Sequence, residues 1–249
     1  MNNRNKKNNN SYWILGKHAV ESALKNSKRI KYHLCITKEN FASVELNNLE
    51  LKTDIMSRSE ISAITDNPNT HQGIALLVKP LETNNLNNYL ESNKENQKTF
   101  IILDQITDAQ NIGAIIRSAS AFSVSGIITL DKNFPNENST MAKAAVGTLE
   151  FMPVFKVTNL VQTLNKLKTY NFWTIGLEAK ADQTLKQLSD NTKIFSENIG
   201  IVMGSEGKGL RELVKKNCDM TAKINIKRSI ESLNVSVALA ITLYEINRT

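Results

Sequence analysis

Apolar residues along this chain fall into two rhythms, and the change between them outlines the architecture. Up to about residue 80 the elements are short. Residues 17–24 place Val20, Ala23 and Leu24 on one side of a helix, 30–36 alternate like a half-buried strand, and 44–51 read as helix again. Residues 54–56 form a short strand. Ser57 then caps a helix over 58–64, with Glu60 three positions on as in a capping box. Asn67-Pro68-Asn69 predicts a turn, and 73–78 a continuous apolar strand. Residues 81–98 break the pattern: one weak helix over 81–90, then a wholly polar run. This stretch is read as a linker between a small α/β domain at 11–80 and a larger one at 99–249.

From residue 99 the alternation is regular. Strands are expected at 100–103, 126–130, 153–157, 172–177, 199–203 and 220–226, and helices at 112–122, 139–146, 160–168, 184–188 and 210–216. Short apolar strands separated by helices predict a mostly parallel sheet covered on both faces. The last helix, 233–246, is apolar nearly all round, so it is expected to be deeply buried or packed on a partner subunit.

Composition narrows the class. Apolar residues make up 41% of the 249, the proportion of a globular protein. Cys35, Cys218, His18, His33 and His71 form no metal-spaced cluster, so no metal is expected. Two free thiols suit a reducing cytoplasm. No apolar run reaches membrane-span length. Residues 1–10, six of them Asn, have no signal-peptide core and read as a disordered tail. The net charge is +7, of which Arg4, Lys6 and Lys7 supply three, a balance that suits a polyanion partner.

Three segments carry candidate chemistry, each at the expected C-terminal end of a strand, where open α/β sheets keep their ligands. Asp108-Ala109-Gln110-Asn111-Ile112-Gly113 follows the first strand, with Asn111 opening the helix and Arg117 flanked by its apolar stripe. Met203-Gly204-Ser205-Glu206-Gly207-Lys208-Gly209-Leu210 is a glycine-rich turn whose spacing fits neither a Walker loop nor the dinucleotide fingerprint. Ile224-Asn225-Ile226 leads through a polar loop to Ser232-Leu233-Asn234-Val235-Ser236, where a buried helix starts at Ser232 or Asn234. Read singly, each is also a cap, a turn or a snorkelling Arg.

Together, in this order, the three resemble the motifs of the SpoU (TrmH) family of RNA ribose methyltransferases. Gly16-x-His18-Ala19-Val20, His71-Gln72-Gly73 and the segment 143–150 are similar to its RlmB branch, which modifies a guanosine in large-subunit ribosomal RNA. The resemblance implies a ribosomal-protein-like, RNA-binding α/β domain at 11–80. It implies a trefoil-knotted α/β methyltransferase domain at 99–249 with a six-stranded sheet, pairing as a homodimer. It also implies S-adenosylmethionine held by Gly204, Ile224 and Leu233. Arg117 would organise the ribose and its phosphate, with Asn111, Glu206, Ser232 and Asn234 around it. The family often has Pro and Gly where Asn225 and Arg228 stand. Ribosomal RNA is the expected substrate; tRNA, or a catalytically silent RNA-binding assembly factor on the same fold, are the alternatives. His18 and His71 are expected to cap, pack or touch RNA rather than to do acid–base work.

Overall fold

The structure, a computed structural model, describes residues 11–44, 50–65, 71–92, 97–227 and 229–248. The expected tail, the turn at 67–69, most of the helix at 44–51 and Arg228 lie outside these residues. In chain order the elements are β1 (Tyr12–Leu15), α1 (Lys17–Lys25), β2 (Lys31–Ile36), α2 (Lys38–Phe41), β3 (Lys52–Ile55), α3 (Arg58–Thr65), β4 (Ile74–Val78), α4 (Leu86–Ser92), β5 (Thr99–Asp104), α5 (Ala109–Ala121), β6 (Gly126–Leu130), α6 (Ser139–Ala145), β7 (Val154–Val157), α7 (Leu160–Thr169), β8 (Phe172–Leu177), α8 (Leu185–Asn191), β9 (Asn198–Gly204), α9 (Glu212–Asn217), β10 (Met220–Ala222) and α10 (Val235–Arg248). They divide into two units: Met1–Glu82 with Asn136–Phe151, and Thr83–Pro135 with Met152–Thr249.

The first unit holds a four-stranded sheet in the order β1-β4-β2-β3. β4 runs antiparallel to β1 and β2, while β2 and β3 are parallel. β1 was not expected; four residues are too few to show a period of two, and its pairing with β4 identifies it. α1 buries Ala19, Val20, Ala23 and Leu24, the side its spacing dictates. The capping box of α3 is formed: the Ser57 amide donates to Glu60 Oε2 at 2.8 Å, and the Glu60 amide donates to Ser57 Oγ at 3.3 Å.

Residues 136–151 join this unit through Arg29, whose side chain is fully enclosed. Its guanidinium donates to Glu137 Oε2 at 2.8 Å, to the Lys79 carbonyl at 2.9 Å, and through Nε and Nη2 to Glu150 at 3.0 and 2.7 Å. The Tyr12 hydroxyl donates to the same Glu137 oxygen at 2.9 Å. Burial works against the Arg29 charge, but the bond to Glu150 and the surrounding negative groups hold its pKa above the ordinary arginine value. A buried cation persists only when paired in this way.

The second unit is a six-stranded, all-parallel sheet in the order β10-β8-β9-β5-β6-β7. Phe100, Phe155 and Phe172 pack in its core, with Leu86 and Leu90 of α4 among them. The ring of Tyr89 meets Phe155 edge-on at 5.0 Å. The stretch expected as linker therefore contains a packed helix. Its Leu86, Tyr89 and Leu90 stand at i, i+3 and i+4, a signal diluted by the asparagines around them. β10 stops at Ala222 rather than running to 226, because the Lys223 amide turns to the Gln183 carbonyl and its own carbonyl accepts from Leu185. α10 packs against α5 and buries Val235, Leu239, Leu243 and Ile246. Its other side leaves Val237, Ile241 and Tyr244 exposed.

Candidate active site

The three candidate segments meet at the C-terminal ends of β5 and β9, which are adjacent and in register from Thr99 opposite Ile199 to Asp104 opposite Gly204. After β5 the chain turns into α5. Asp108, not Asn111, is its N-cap: the Asp108 side chain accepts from the Asn111 amide at 2.7 Å. Asn111 then lies in the first turn with its side chain free to work. Ile112, Ile115, Ile116 and Ala119 bury the opposite stripe.

After β9 the chain folds back on itself. The Gly209 amide donates to the Ser205 carbonyl at 2.9 Å. A Cβ on Gly204 would lie 2.1 Å from the Gly209 carbonyl carbon and 2.3 Å from the Leu210 nitrogen, so only glycine allows this closure. Gly207 and Gly209 take left-handed φ values of 79° and 65°, and nothing lies within 4 Å of where their Cβ atoms would be. The loop is thus closed at its base and open at its tip.

Asn234 joins the segments. Its Oδ1 accepts from the Ser236 amide at 2.9 Å and the Val237 amide at 3.4 Å, which makes it the cap of α10. That leaves Nδ2 to face the other way, donating to Glu206 Oε1 and Asn111 Oδ1, each at 2.9 Å. Asn111 Nδ2 donates to the same Glu206 oxygen at 3.0 Å. Residues separated by 95 and 28 positions from Glu206 thus form one closed hydrogen-bonded triangle.

Other expected site residues stand outside it. Arg117 is exposed and makes no hydrogen bond or ion pair with any described residue. Six residues beyond Asn111, it lies about 9 Å along the helix axis and on a different face. Ser232 is exposed, again with no hydrogen bond among the described residues, while Gly204, Ile224 and Leu233 are half-buried. The sequence reading missed Asp104, 1% exposed, which accepts from the Arg211 amide and guanidinium at the exit of the glycine loop. An Asp closing the apolar run Phe100–Leu103 was the available signal.

The histidines do other work. His71 is buried in the first unit; its Nδ1 accepts from the Gly73 amide at 3.0 Å and its Nε2 meets Ser62 Oγ at 2.9 Å. Burial, then the nearby Arg58, lowers its pKa from the ordinary value. His18 is exposed on α1. Burial pushes the Cys35 thiol up to about 11 and the Cys218 thiol up to about 12, so neither is a thiolate at neutral pH. Among the described residues no group of three or more His, Cys, Asp or Glu could hold a metal, and no helix is long and apolar enough to cross a membrane.

Residues 98–244 match the SpoU rRNA Methylase family, and residues 13–84 match the RNA 2′-O ribose methyltransferase substrate binding family. The chain belongs to the SpoU family. Among SpoU relatives, a protein carried under the name TrmH family tRNA/rRNA methyltransferase in Staphylococcus haemolyticus is 32% identical over 242 residues, 94% of each chain. A protein of the same name in Staphylococcus aureus is 34% identical over 94% of this chain and 95% of its own. The fold is similar to that of the SpoU methyltransferase AviRb from Streptomyces viridochromogenes, solved in complex with AdoMet. The TM-score is 0.79 at 19% identity, over 100% of this chain and 94% of that one. An RNA methyltransferase of the TrmH family from Porphyromonas gingivalis gives 0.75 at 21% identity, over 97% and 91%. SpoU membership makes this chain an RNA methyltransferase, and the triangle holds one residue from each of the three candidate segments.

Proposed function

We propose that this protein transfers a methyl group from S-adenosylmethionine to a ribose 2′ hydroxyl, that of a guanosine in large-subunit ribosomal RNA. The observation that carries the reading is the triangle Asn111–Glu206–Asn234, which ties three distant loops into one rigid edge. Alignment of reactants on such an edge lowers a bimolecular barrier by about 7–11 kcal/mol at best.

The residues present fit the methyl donor. The tip of the glycine loop is open, with nothing within 4 Å of where a Cβ at Gly207 or Gly209 would be, so a ligand can approach its backbone there. Half-buried Ile224 and Leu233 offer apolar surface for an adenine ring, and Gly204 keeps the loop closed behind it. When bound, S-adenosylmethionine supplies an electrophilic methyl group on a sulfonium. Arg117, uncommitted to any described partner, holds the substrate phosphate with its guanidinium fork and stabilises charge developing on the 2′ oxygen. It does not serve as the base, since a guanidinium stays protonated at any working pH. The hydroxyl proton leaves through the neighbouring phosphate. Ser232 and the triangle orient the ribose.

Residues 11–80 act as the RNA substrate-binding domain, and the resemblance of Gly16–Val20 and 71–73 to the RlmB branch supports ribosomal RNA. The chain works as a homodimer through residues 99–249, threaded as a trefoil knot. Exposed Val237, Ile241 and Tyr244, spaced four and three apart on α10, supply an apolar stripe for the partner copy. The relatives named for both tRNA and rRNA favour tRNA as the second reading.

The test is transfer of labelled methyl from S-adenosylmethionine to ribosomal RNA and to tRNA, both taken from a strain lacking the protein, followed by nuclease mapping. Label in 2′-O-methylguanosine of the large-subunit RNA is the expected result. Label in tRNA alone moves the assignment to the second reading, and label in neither removes the enzyme.

A further inference from the structure

The second unit holds a cavity that the proposed chemistry leaves unused. It measures about 220 Å³ and opens beside the ends of β6 and β7, lined by Leu130, Asn159, Val161, Arg211, Leu213 and Val214 among others. None of the residues assigned above to the methyl donor or to the triangle lines it. Its size is below the roughly 300–1,000 Å³ of sites that enclose a drug-sized ligand, so it suits a fragment such as one nucleobase.

Its chemistry is of two kinds. The floor is aliphatic, from Leu130, Val161 and Val214, and Leu213 keeps 64% of its surface exposed at the rim. Its polar side chains are Arg211 and Asn159, which present free donors, and Thr158, whose hydroxyl donates or accepts. Arg211 spends Nε and its amide on Asp104, at 2.7 and 3.0 Å, which leaves its two terminal nitrogens without a hydrogen bond among the described residues. Asn159 spends Oδ1 on the Gln162 amide at 3.2 Å, leaving its amide nitrogen likewise uncommitted. An aliphatic lining with uncommitted donors on Arg211 and Asn159 suits an unstacked base, which presents two faces for packing and acceptors along its edge. Arg211 is also held rigidly: the Asp104 side chain that anchors it is completely buried.

The cavity shares the glycine-loop segment with the candidate active site through Arg211. Arg211 follows Glu206 by five residues, at most about 18 Å of extended chain, and the loop between them is folded back through the Ser205–Gly209 bond.

We propose that this cavity is a second RNA subsite, which takes an unpaired nucleobase of the substrate near the methylated nucleotide and so selects which ribose is presented. The proposal rests on the RNA methyltransferase reading above. Arg211 supplies the fork that meets a base edge carrying paired acceptors, for which guanine O6 and N7 are the best match. Leu213 and Val161 supply the packing surface.

The test uses the full-length protein and an in vitro transcript of large-subunit ribosomal RNA. Two variants close the cavity by different means: Val161→Trp fills it, and Leu213→Asp sets a carboxylate at its rim. Leu213 is exposed, so its variant folds even if the tryptophan is not accommodated. The expected result is an RNA dissociation constant raised about tenfold in filter binding, the loss of one packed base. KM for RNA rises more than kcat falls, and S-adenosylmethionine affinity by calorimetry is unchanged. Crosslinks from a 6-thioguanosine-substituted transcript map to peptides containing 158–161 or 211–214 in the wild type and are lost in both variants. RNA affinity within twofold of wild type in the folded variants, or crosslinks only elsewhere, overturns the subsite while leaving the methyltransferase reading intact. A wild-type protein that binds no RNA removes both.

Discussion

Asp104 and Arg211 are joined by two hydrogen bonds across 107 positions of sequence, with the carboxylate wholly enclosed and the guanidinium at the surface. The pair fixes the exit of the glycine loop to the end of β5, as the parallel register fixes its entrance. Because Arg211 is 43% exposed in its side chain, its charge stays partly hydrated if the partner is lost. Asp104→Asn therefore costs about 1.5–3 kcal/mol, the range for a hydrogen bond to a charged group, rather than the larger penalty of a fully buried ion. Urea unfolding measures the loss, and S-adenosylmethionine affinity falls with it.

Asn234 faces two ways, so its substitutions separate two effects. Asn234→Ala removes a helix cap, about 1 kcal/mol, and opens the triangle. Asn234→Asp keeps the cap but sets a second carboxylate about where Nδ2 now lies, 2.9 Å from Glu206 Oε1. Like charges so close repel strongly. Methyl transfer is expected to fall further in Asn234→Asp than in Asn234→Ala, with the difference shrinking as the pH is lowered. Rate measurements over a pH series on the two variants check this.

Gly204→Ala tests the closed base of the loop. The added methyl would meet the Gly209 and Leu210 backbone at 2.1–2.3 Å, and backbone on both sides leaves nothing flexible to yield. The loop must open. Calorimetry should show S-adenosylmethionine affinity falling by more than about tenfold, beyond what one lost van der Waals contact explains. Gly207→Ala, with open space at its Cβ, strains only its φ and is expected to be milder.

His71 gives the first unit a pH-dependent stability. Its pKa in the folded chain lies below the ordinary histidine value of about 6.5, so around and below that pH the unfolded chain binds the proton first. The contribution is complete above that value and is lost as the pH falls through it, because the protonated ring no longer accepts from the Gly73 amide. Between about pH 7.5 and 5.5 the wild type should lose more stability in urea than His71→Gln, which has no proton to gain.

The outer stripe of α10 predicts an assembly effect. Ile241→Lys, at a position 39% exposed, should leave the fold intact and shift the protein to a smaller species in sedimentation.

Much of the second unit was readable in the chain because parallel strands are buried on both faces and appear as unbroken apolar runs: β6 and β8 lie where the sequence put them. The three motif segments were readable for a related reason, each following such a run. What was not readable depends on tertiary pairing. β1 exists because β4 offers it an edge. β10 ends early because Lys223 finds other partners. α4 was expected as a weak helix, but its packing was hidden among asparagines until Phe155 and its neighbours gave its core residues a purpose. Likewise the capping of α5 fell to Asp108 rather than Asn111, a choice between two good caps that local sequence leaves undecided.

The return of residues 136–151 to the first unit makes the polypeptide pass from one unit to the other three times. No single cut releases an intact N-terminal module. A fragment ending at Glu82 would carry Arg29 without Glu137 or Glu150, leaving a sequestered cation with no counter-ion. Such a piece would not be transplantable onto another enzyme, and genetic exchange between relatives could not swap the first unit without also rewriting the interior of the second gene segment.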